Sequence, residues 1–269
     1  MSVRSILYRG PSLLDGRPIV VTFYTGTKNR KVGAGPSLSI LPDASTYREA
    51  FKDAPSVCGG CPFLGAMHPT GEKRRQGGCY AWALSMPIAS QLKAIAAGRY
   101  VEGEAGWVLA EAHLRAHAPR IIRVATVGDS AAVPRWVWDR LRAACPDGTI
   151  PQNYSHQWRR PDAQHLRTWT MASVETEEDA SKAQAMGWRT FRARLQDAPT
   201  TDAEKVCTHE VEKLTCSACR SCDGEGLAPS IVSTVHGNNA TAKTARAVVA
   251  AAIKRAARRA AGRAALFTQ

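Results

Sequence analysis

Segments with the character of β-strands and α-helices alternate along the middle and C-terminal part of the chain. Residues 120–127 predict a buried strand and residues 133–144 a helix. Further strands are predicted at 18–24, 149–154, 166–174, 188–195 and 230–235, and a further helix at 176–186. Such alternation is typical of right-handed βαβ units and a parallel sheet. We expect an α/β fold, a partial parallel βα barrel of about six strands, with a doubly wound sheet as the alternative.

A basic, alanine-rich segment ends the chain. We expect one α/β metal-binding domain over residues 1–240, followed by a helix over 241–269, which alanine favours. The net charge of +13 favours a polyanionic partner, with nucleic acid first. Arg255, Arg258 and Arg259 are candidates for sequence-independent phosphate contacts. A solvated helix packed on the domain is the alternative.

No apolar stretch of the sequence is long enough to span a membrane, and the N-terminal residues lack a cleavage-like site. These features predict a cytoplasmic protein without a membrane partner, in the host cytoplasm if a phage encodes it. Cytosolic thiols stay reduced, so clustered cysteines there more often bind metal than form disulfides.

Four cysteines in one short polar segment form what we call the C-terminal cysteine set: Cys207, Cys216, Cys219 and Cys222. The CxxCxxC triplet is similar to the ligand run of ferredoxins, with a fourth cysteine nearby. Zinc sites usually combine two well-separated CxxC or CxxH pairs. The spacing favours a [4Fe–4S] cluster, with zinc as the alternative.

Three further cysteines form the N-terminal cysteine set: Cys58, Cys61 and Cys79. Three thiolates leave one coordination position of a metal centre open. The set is also compatible with a zinc site completed by His68, with ligands shared between the two sets, or with plain structural cysteines. Cys145 is expected to be a small buried apolar residue.

Polar residues follow the predicted strands, at the edge where α/β barrels carry their sites. The candidates for catalysis there are Asp129, His156, Ser173 and His236, with Asp129 and His156 as proton-transfer groups. Gln157 is expected to line the same pocket, and Arg192 and Arg194 to contact phosphate or carboxylate. Trp158, Arg159 and Arg160 suit stacking and phosphate contact on a single strand. A core tryptophan with two solvated arginines is the alternative for that segment.

Several segments together resemble the phage gene product 88 family and related phage and prophage proteins. They begin at Lys28, Ser37, Cys58, Gly77, Val124, Asn153, Met171, Cys207 and Ser230, and span roughly 28–237. The resemblance implies a phage or prophage origin and a cysteine-bound metal, but no reaction. The expected barrel is also similar to that of radical S-adenosylmethionine enzymes, which implies SAM as a cofactor. Their CxxxCxxC motif is absent here, because the N-terminal cysteine set is spread from Cys58 to Cys79.

From these observations we expect an iron–sulfur protein of a phage or prophage that binds or acts on nucleic acid. Redox or radical-type chemistry at the C-terminal ends of the strands would suit such a protein. One alternative is a non-catalytic DNA-binding protein with structural zinc. Another is a base-modifying or nuclease-type barrel enzyme, although the strand ends carry few of the carboxylates that two-metal cleavage needs.

Overall fold

The structure is a computed structural model that describes residues 2–26, 29–68, 70–71, 75–225, 228–237 and 239–266. Lys28, the first residue of one segment of the family resemblance, lies outside these ranges, as do the last three residues of the expected C-terminal helix. None of the helices that the structure describes is long and apolar enough to cross a membrane.

Strands and helices alternate over most of the described chain. The strands are β1 (Arg4–Pro11), β2 (Pro18–Tyr24), β3 (Ser37–Pro42), β4 (Val101–Glu102), β5 (Ile121–Arg123), β6 (Ile150–Gln152), β7 (Tyr154–Ser155), β8 (Met171–Val174), β9 (Thr190–Arg194), β10 (Glu204–Val206) and β11 (Ser230–Thr234). The helices are α1 (Tyr47–Lys52), α2 (Pro55–Cys58), α3 (Tyr80–Ala83), α4 (Ser85–Ala96), α5 (Gly103–His117), α6 (Arg135–Ala144), α7 (Glu177–Ala185), α8 (Thr208–Glu212), α9 (Cys216–Cys219) and α10 (Ala240–Leu266). The predicted α/β class is therefore confirmed.

Two sheets organise these strands. The first has the order β4-β1-β2-β3-β5-β6 and is mixed, because β1, β2 and β3 pair antiparallel while the other pairs are parallel. The second has the order β10-β11-β9-β8-β7 and is parallel throughout. The predicted partial barrel is not seen among the described residues. A parallel barrel needs a crossover connection, usually a helix, between successive strands. No described helix lies between β1 and β2 or between β2 and β3, so these strands pair antiparallel.

Residues 150–155 connect the two sheets. The first half of this run, β6, pairs with β5, and the second half, β7, pairs with β8. Asn153 lies between the halves and is fully buried. Its side chain accepts from Ser130 Oγ (3.0 Å) and donates to Thr170 Oγ1 (2.7 Å), while its carbonyl accepts from the backbone N–H of Met171. These bonds satisfy a buried polar residue at the point where the run changes partner.

The C-terminal helix α10 packs on the domain along one stripe. Ala242, Ala245 and Val249 are buried in it, at helical spacing. Gly78 permits the close approach, since a Cβ there would lie 2.7 Å from the Cα of Ala245. The start of α10 is also fixed by Arg246, which donates to the carbonyl of Gly237 at 2.7 Å.

Candidate metal centres

The C-terminal cysteine set lines one small cavity. Cys207 follows β10, Cys216 and Cys219 lie on the short helix α9, and Cys222 follows after a turn at Arg220, whose φ of 58° ends the helix. Thr215 caps α9 by accepting from the backbone N–H of Ala218. The structure therefore gathers all four thiols that the spacing predicts to act together.

Backbone contacts hold this loop against residues 31–33. The backbone N–H groups of Cys216 and Ser217 donate to the carbonyls of Lys31 and Val32, both at 2.9 Å. Gly33 has a φ of 86°, and a Cβ there would lie 2.2 Å from Ser217 Oγ. Only glycine fits both the conformation and the contact.

The cavity wall includes residues at both ends of strands. Ile121 and Ile150, the first residues of β5 and β6, form part of it, and Cys207 directly follows β10. After Cys222, Gly224 packs against Trp169 and Thr170, directly before β8. Asp129 and His156 follow β5 and β7, and neither of them lines this cavity.

Hydrogen bonds and charge surround the thiols of this set. Gln152 Nε2 donates to Cys216 Sγ at 3.3 Å. Burial raises the pKa of the Cys216 thiol, although this amide, Lys31 and Arg123 act in the opposite direction. Burial also raises the pKa of Cys222, to about 12, against the Tyr154 hydroxyl that donates to it. Cys216 and Cys222 are thus half-buried beside groups that favour their thiolate forms.

The donor set of this cavity consists of four cysteine thiols. Among the described residues, no three His, Cys, Asp or Glu side chains are placed to hold one metal ion. A cubic cluster binds each of its four thiolates through a different iron, so its ligands stand farther apart than those of one ion. The cavity has a volume of about 20 Å³. Two buried polar atoms in this region, Gln152 Oε1 and Arg220 Nε, have no hydrogen-bond partner among the residues that the structure describes.

Arg189 fixes the chain that follows Cys222. The side chain is 7% exposed, and its guanidinium donates to four backbone carbonyls at 3.0 Å or less, those of Ser221, Asp223, Ala228 and Pro229. It also forms an ion pair with the Asp223 carboxylate. One buried guanidinium therefore orders the return of the cysteine loop to β11.

The N-terminal cysteine set gathers through glycine-permitted backbone contacts. Cys58 ends α2, and the backbone N–H of Cys61 donates to its carbonyl at 3.2 Å. Cys79 is brought back by its own backbone N–H, which donates to the carbonyl of Phe63 at 2.9 Å. Gly77 allows this return, since a Cβ there would lie 2.3 Å from the same carbonyl.

Burial and mutual proximity govern the charge of these thiols. Burial, and then the neighbouring Cys61, raises the pKa of Cys58 well above its usual range. Burial likewise raises the pKa of Cys79, and Cys61 adds to the rise. The indole of Trp82 donates to Cys58 Sγ at 3.3 Å. The three thiols therefore interact with one another, and none of them lines the cavity of the C-terminal cysteine set.

His156 stands beside the N-terminal cysteine set. Its Nε2 lies 2.9 Å from Glu175 Oε1, and its ring is also hydrogen-bonded to the Cys61 thiol. Burial lowers the pKa of His156, but Cys61 and Glu175 outweigh that effect and the pKa is raised well above its usual value. His68, the histidine expected near this set, instead bonds to the Thr70 side chain at 3.0 Å.

The carboxylate of Asp129 fixes the backbone at His156. Its buried carboxylate accepts from Ser155 Oγ, from the backbone N–H of His156, both at 2.8 Å, and from the backbone N–H of Ala131 at 3.0 Å. Burial raises the pKa of Asp129, and these hydrogen bonds oppose the rise. Gln157 donates to the carbonyl of Cys58 at 3.0 Å. Asp129, His156 and Gln157 thus lie together beside the N-terminal cysteine set.

Trp158, which was expected to stack on a base, does not expose its ring to solvent. Trp158 is 1% exposed and belongs to the hydrophobic core. Arg159 covers the ring at 3.9 Å and pairs with Asp179, while Arg160 pairs with Asp162. The stacking interpretation is wrong, because burying the large indole outweighs leaving it free for a ligand.

The two arginines expected to contact phosphate are structural. Arg192 is buried and its guanidinium binds both carboxylate oxygens of Glu204, at 2.6 and 2.7 Å. Arg194 donates to the carbonyls of Gln196 and Ala198. Ser173 lies inside β8, paired with Phe191, and His236 is exposed, with Nδ1 3.0 Å from the carbonyl of Thr234. Neither pairs with Asp129 or His156 among the contacts of the described residues.

The basic residues of α10 face outward. Arg255 and Arg258 are exposed and form no ion pair with any described residue. Arg259 is exposed and pairs with Glu178 at 3.1 Å. This face therefore offers two guanidinium groups, those of Arg255 and Arg258, without an ion pair within the described part of the chain.

Four side chains that shape the centres escaped sequence reasoning: Gln152, Tyr154, Glu175 and Arg189. Glu175 follows β8 directly, so the rule that site residues follow strands could have found it. Gln152 and Tyr154 reach the thiols because of the strand register, and Arg189 through a long-range loop contact. No local sequence pattern predicts either. No family model, curated protein sequence or solved structure matches this chain.

Proposed function

We propose that this chain is an iron–sulfur protein that binds a [4Fe–4S] cluster through the C-terminal cysteine set and binds nucleic acid through its basic surface. The observation that carries the proposal is the convergence of Cys207, Cys216, Cys219 and Cys222 on one cavity. Four cysteine thiolates are the usual ligands of such a cluster.

The surroundings of the cavity support a cluster of net negative charge. Lys31 and Arg123 lie close enough to Cys216, and Lys205 to Cys219, to favour the thiolate forms. The Gln152 amide and the Tyr154 hydroxyl donate to sulfur, and such bonds tune the potential of a cluster. The cluster would supply redox capacity, while these residues hold and polarise its thiolates.

Metal and sulfide analysis of anaerobically purified protein tests the cluster. We expect the C-terminal cysteine set to contribute about four irons and four sulfides per chain, which Cys216→Ala removes. Cys145→Ala is the matched control, because Cys145 belongs to neither set and should leave the count unchanged. Zinc without sulfide would favour the alternative of a DNA-binding protein with structural zinc and contradict the proposal.

Two observations support the nucleic-acid part. The net charge is +13, and Arg255 and Arg258 stand exposed and unpaired among the described residues of α10. Guanidinium groups in this state can release counterions from a phosphate backbone on binding. The resemblance to the gene product 88 family adds the expectation that the protein, of phage or prophage origin, binds this nucleic acid in an infected or lysogenic host.

Fluorescence anisotropy with a labelled single-stranded oligonucleotide tests this part. Affinity should fall steeply between about 50 and 200 mM salt. In Arg255→Gln/Arg258→Gln the slope of log affinity against log salt should shrink by about 1.4, two contacts at about 0.7 each. Arg115→Gln/Arg135→Gln removes the same charge from exposed positions on α5 and α6 and is the matched control. Equal slopes in both double variants would contradict the assignment to α10.

A further inference from the structure

We propose that Cys58, Cys61, Cys79 and His156 bind a second iron–sulfur cluster, in which His156 is the single imidazole ligand and Glu175 is its orienting partner. This site is independent of the C-terminal cysteine set, since none of its four residues lines that cavity. His156 then acts as a ligand rather than as a free proton-transfer group.

The first support is the way His156 is held. A ligating histidine usually donates its second ring N–H to a carboxylate, which fixes the tautomer and the ring orientation. Glu175 Oε1 lies 2.9 Å from His156 Nε2. Nδ1 is therefore the ring nitrogen that is left to bind a metal centre beside Cys61. Asp129 holds the backbone N–H of the same residue at 2.8 Å, so both the main chain and the ring of His156 are fixed.

The second support is the environment of the three thiols. Cys58 is buried, and its sulfur already receives a hydrogen bond from the indole of Trp82, itself 1% exposed. Donors of this kind stabilise the sulfurs of a bound cluster. Cys61 and Cys79 are half-buried.

The test uses the full-length chain, reconstituted anaerobically with iron and sulfide. If both sites load, the wild type should hold about eight irons, and Cys61→Ala and Cys216→Ala should each remove about four. A wild type with about four irons, all lost in Cys61→Ala and kept in Cys216→Ala, would support this site and refute the first one. An iron count that Cys61→Ala leaves unchanged, or zinc bound at this site, would overturn the second cluster.

Pulsed electron paramagnetic resonance of the reduced protein tests the imidazole ligand. The Cys216→Ala background isolates the signal of this site, which should show coupling to one nitrogen. His156→Cys keeps four ligands, so it should retain the iron, lose that coupling and lower the reduction potential, because thiolate replaces imidazole. His117→Ala, on the exposed end of α5, is the control and should change neither. Nitrogen coupling that persists in His156→Cys would overturn the assignment of His156.

Discussion

Replacing Arg189 by methionine removes a buried side chain that orders the chain after Cys222. Methionine keeps much of the apolar volume but leaves four backbone carbonyls and the Asp223 carboxylate without their donor. Each buried group left unpaired costs about 1–3 kcal/mol. Some of these carbonyls will regain water, because Asp223 is itself partly exposed. We therefore expect a loss near that for breaking a buried ion pair, about 3–5 kcal/mol.

Urea unfolding of the cluster-free protein measures this loss, with circular dichroism as the signal. Iron retention after reconstitution is the second readout, and it should fall because the loop that carries Cys216, Cys219 and Cys222 loses its anchor. Arg167→Met is the matched control, since Arg167 is exposed and its guanidinium makes a 3.5 Å contact with the carbonyl of Met186. A change below about 1 kcal/mol for Arg189→Met, with full iron retention, would refute the reasoning.

Two further predictions concern thiol reactivity and pH. In cluster-free protein at about pH 8, iodoacetamide should modify Cys219 before Cys222. Burial raises the pKa of Cys219 but hydrogen bonds with Ser221 and Thr208 bring it below its usual value, whereas burial raises the pKa of Cys222 to about 12. Mass spectrometry of the peptides over time gives the order, and faster labelling of Cys222 would contradict it. Burial raises the pKa of Glu204, but the hydrogen bonds of Arg192 and Thr201 outweigh it and lower the pKa below the ordinary value. The contribution of Glu204 to the free energy of unfolding is thus complete above about pH 4.3 and lost as pH falls through the lower folded-state pKa. Glu204→Gln should flatten that dependence in acid denaturation curves, and an unchanged curve would contradict the pairing.

Local sequence patterns predicted the strands that belong to a single sheet and the helix α7. Predicted bounds of 18–24 match β2, and those of 230–235 and 176–186 fall within a residue of β11 and α7. The run 149–154 was expected as one strand, but it divides between two sheets at Asn153. The segment 166–174 begins with the end of a 3₁₀ helix, Pro161–Thr168, because short apolar runs do not distinguish a strand from a buried helical turn. The antiparallel pairing of β1 with β2 was missed altogether.

The cysteine positions were predictable because ligand spacing is a local property. Their surroundings were not, since Arg189 reaches the loop from the start of β9 and Glu175 meets His156 across neighbouring strands. Trp158, Arg192 and Arg194 show the converse error. Their residue types suit nucleic acid, but burial and ion pairing, which only the tertiary structure reveals, assign them to the core and its margins.

The run that connects the two sheets also links the two groups of cysteines. Gln152 touches Cys216 at one end and His156 touches Cys61 just past the other, four residues away, or about 13–14 Å of extended chain. Opening of this run in a local fluctuation would release both groups together. The amide hydrogens of residues 150–156 should therefore exchange with deuterium as one cooperative unit, slowed by the loading of either centre.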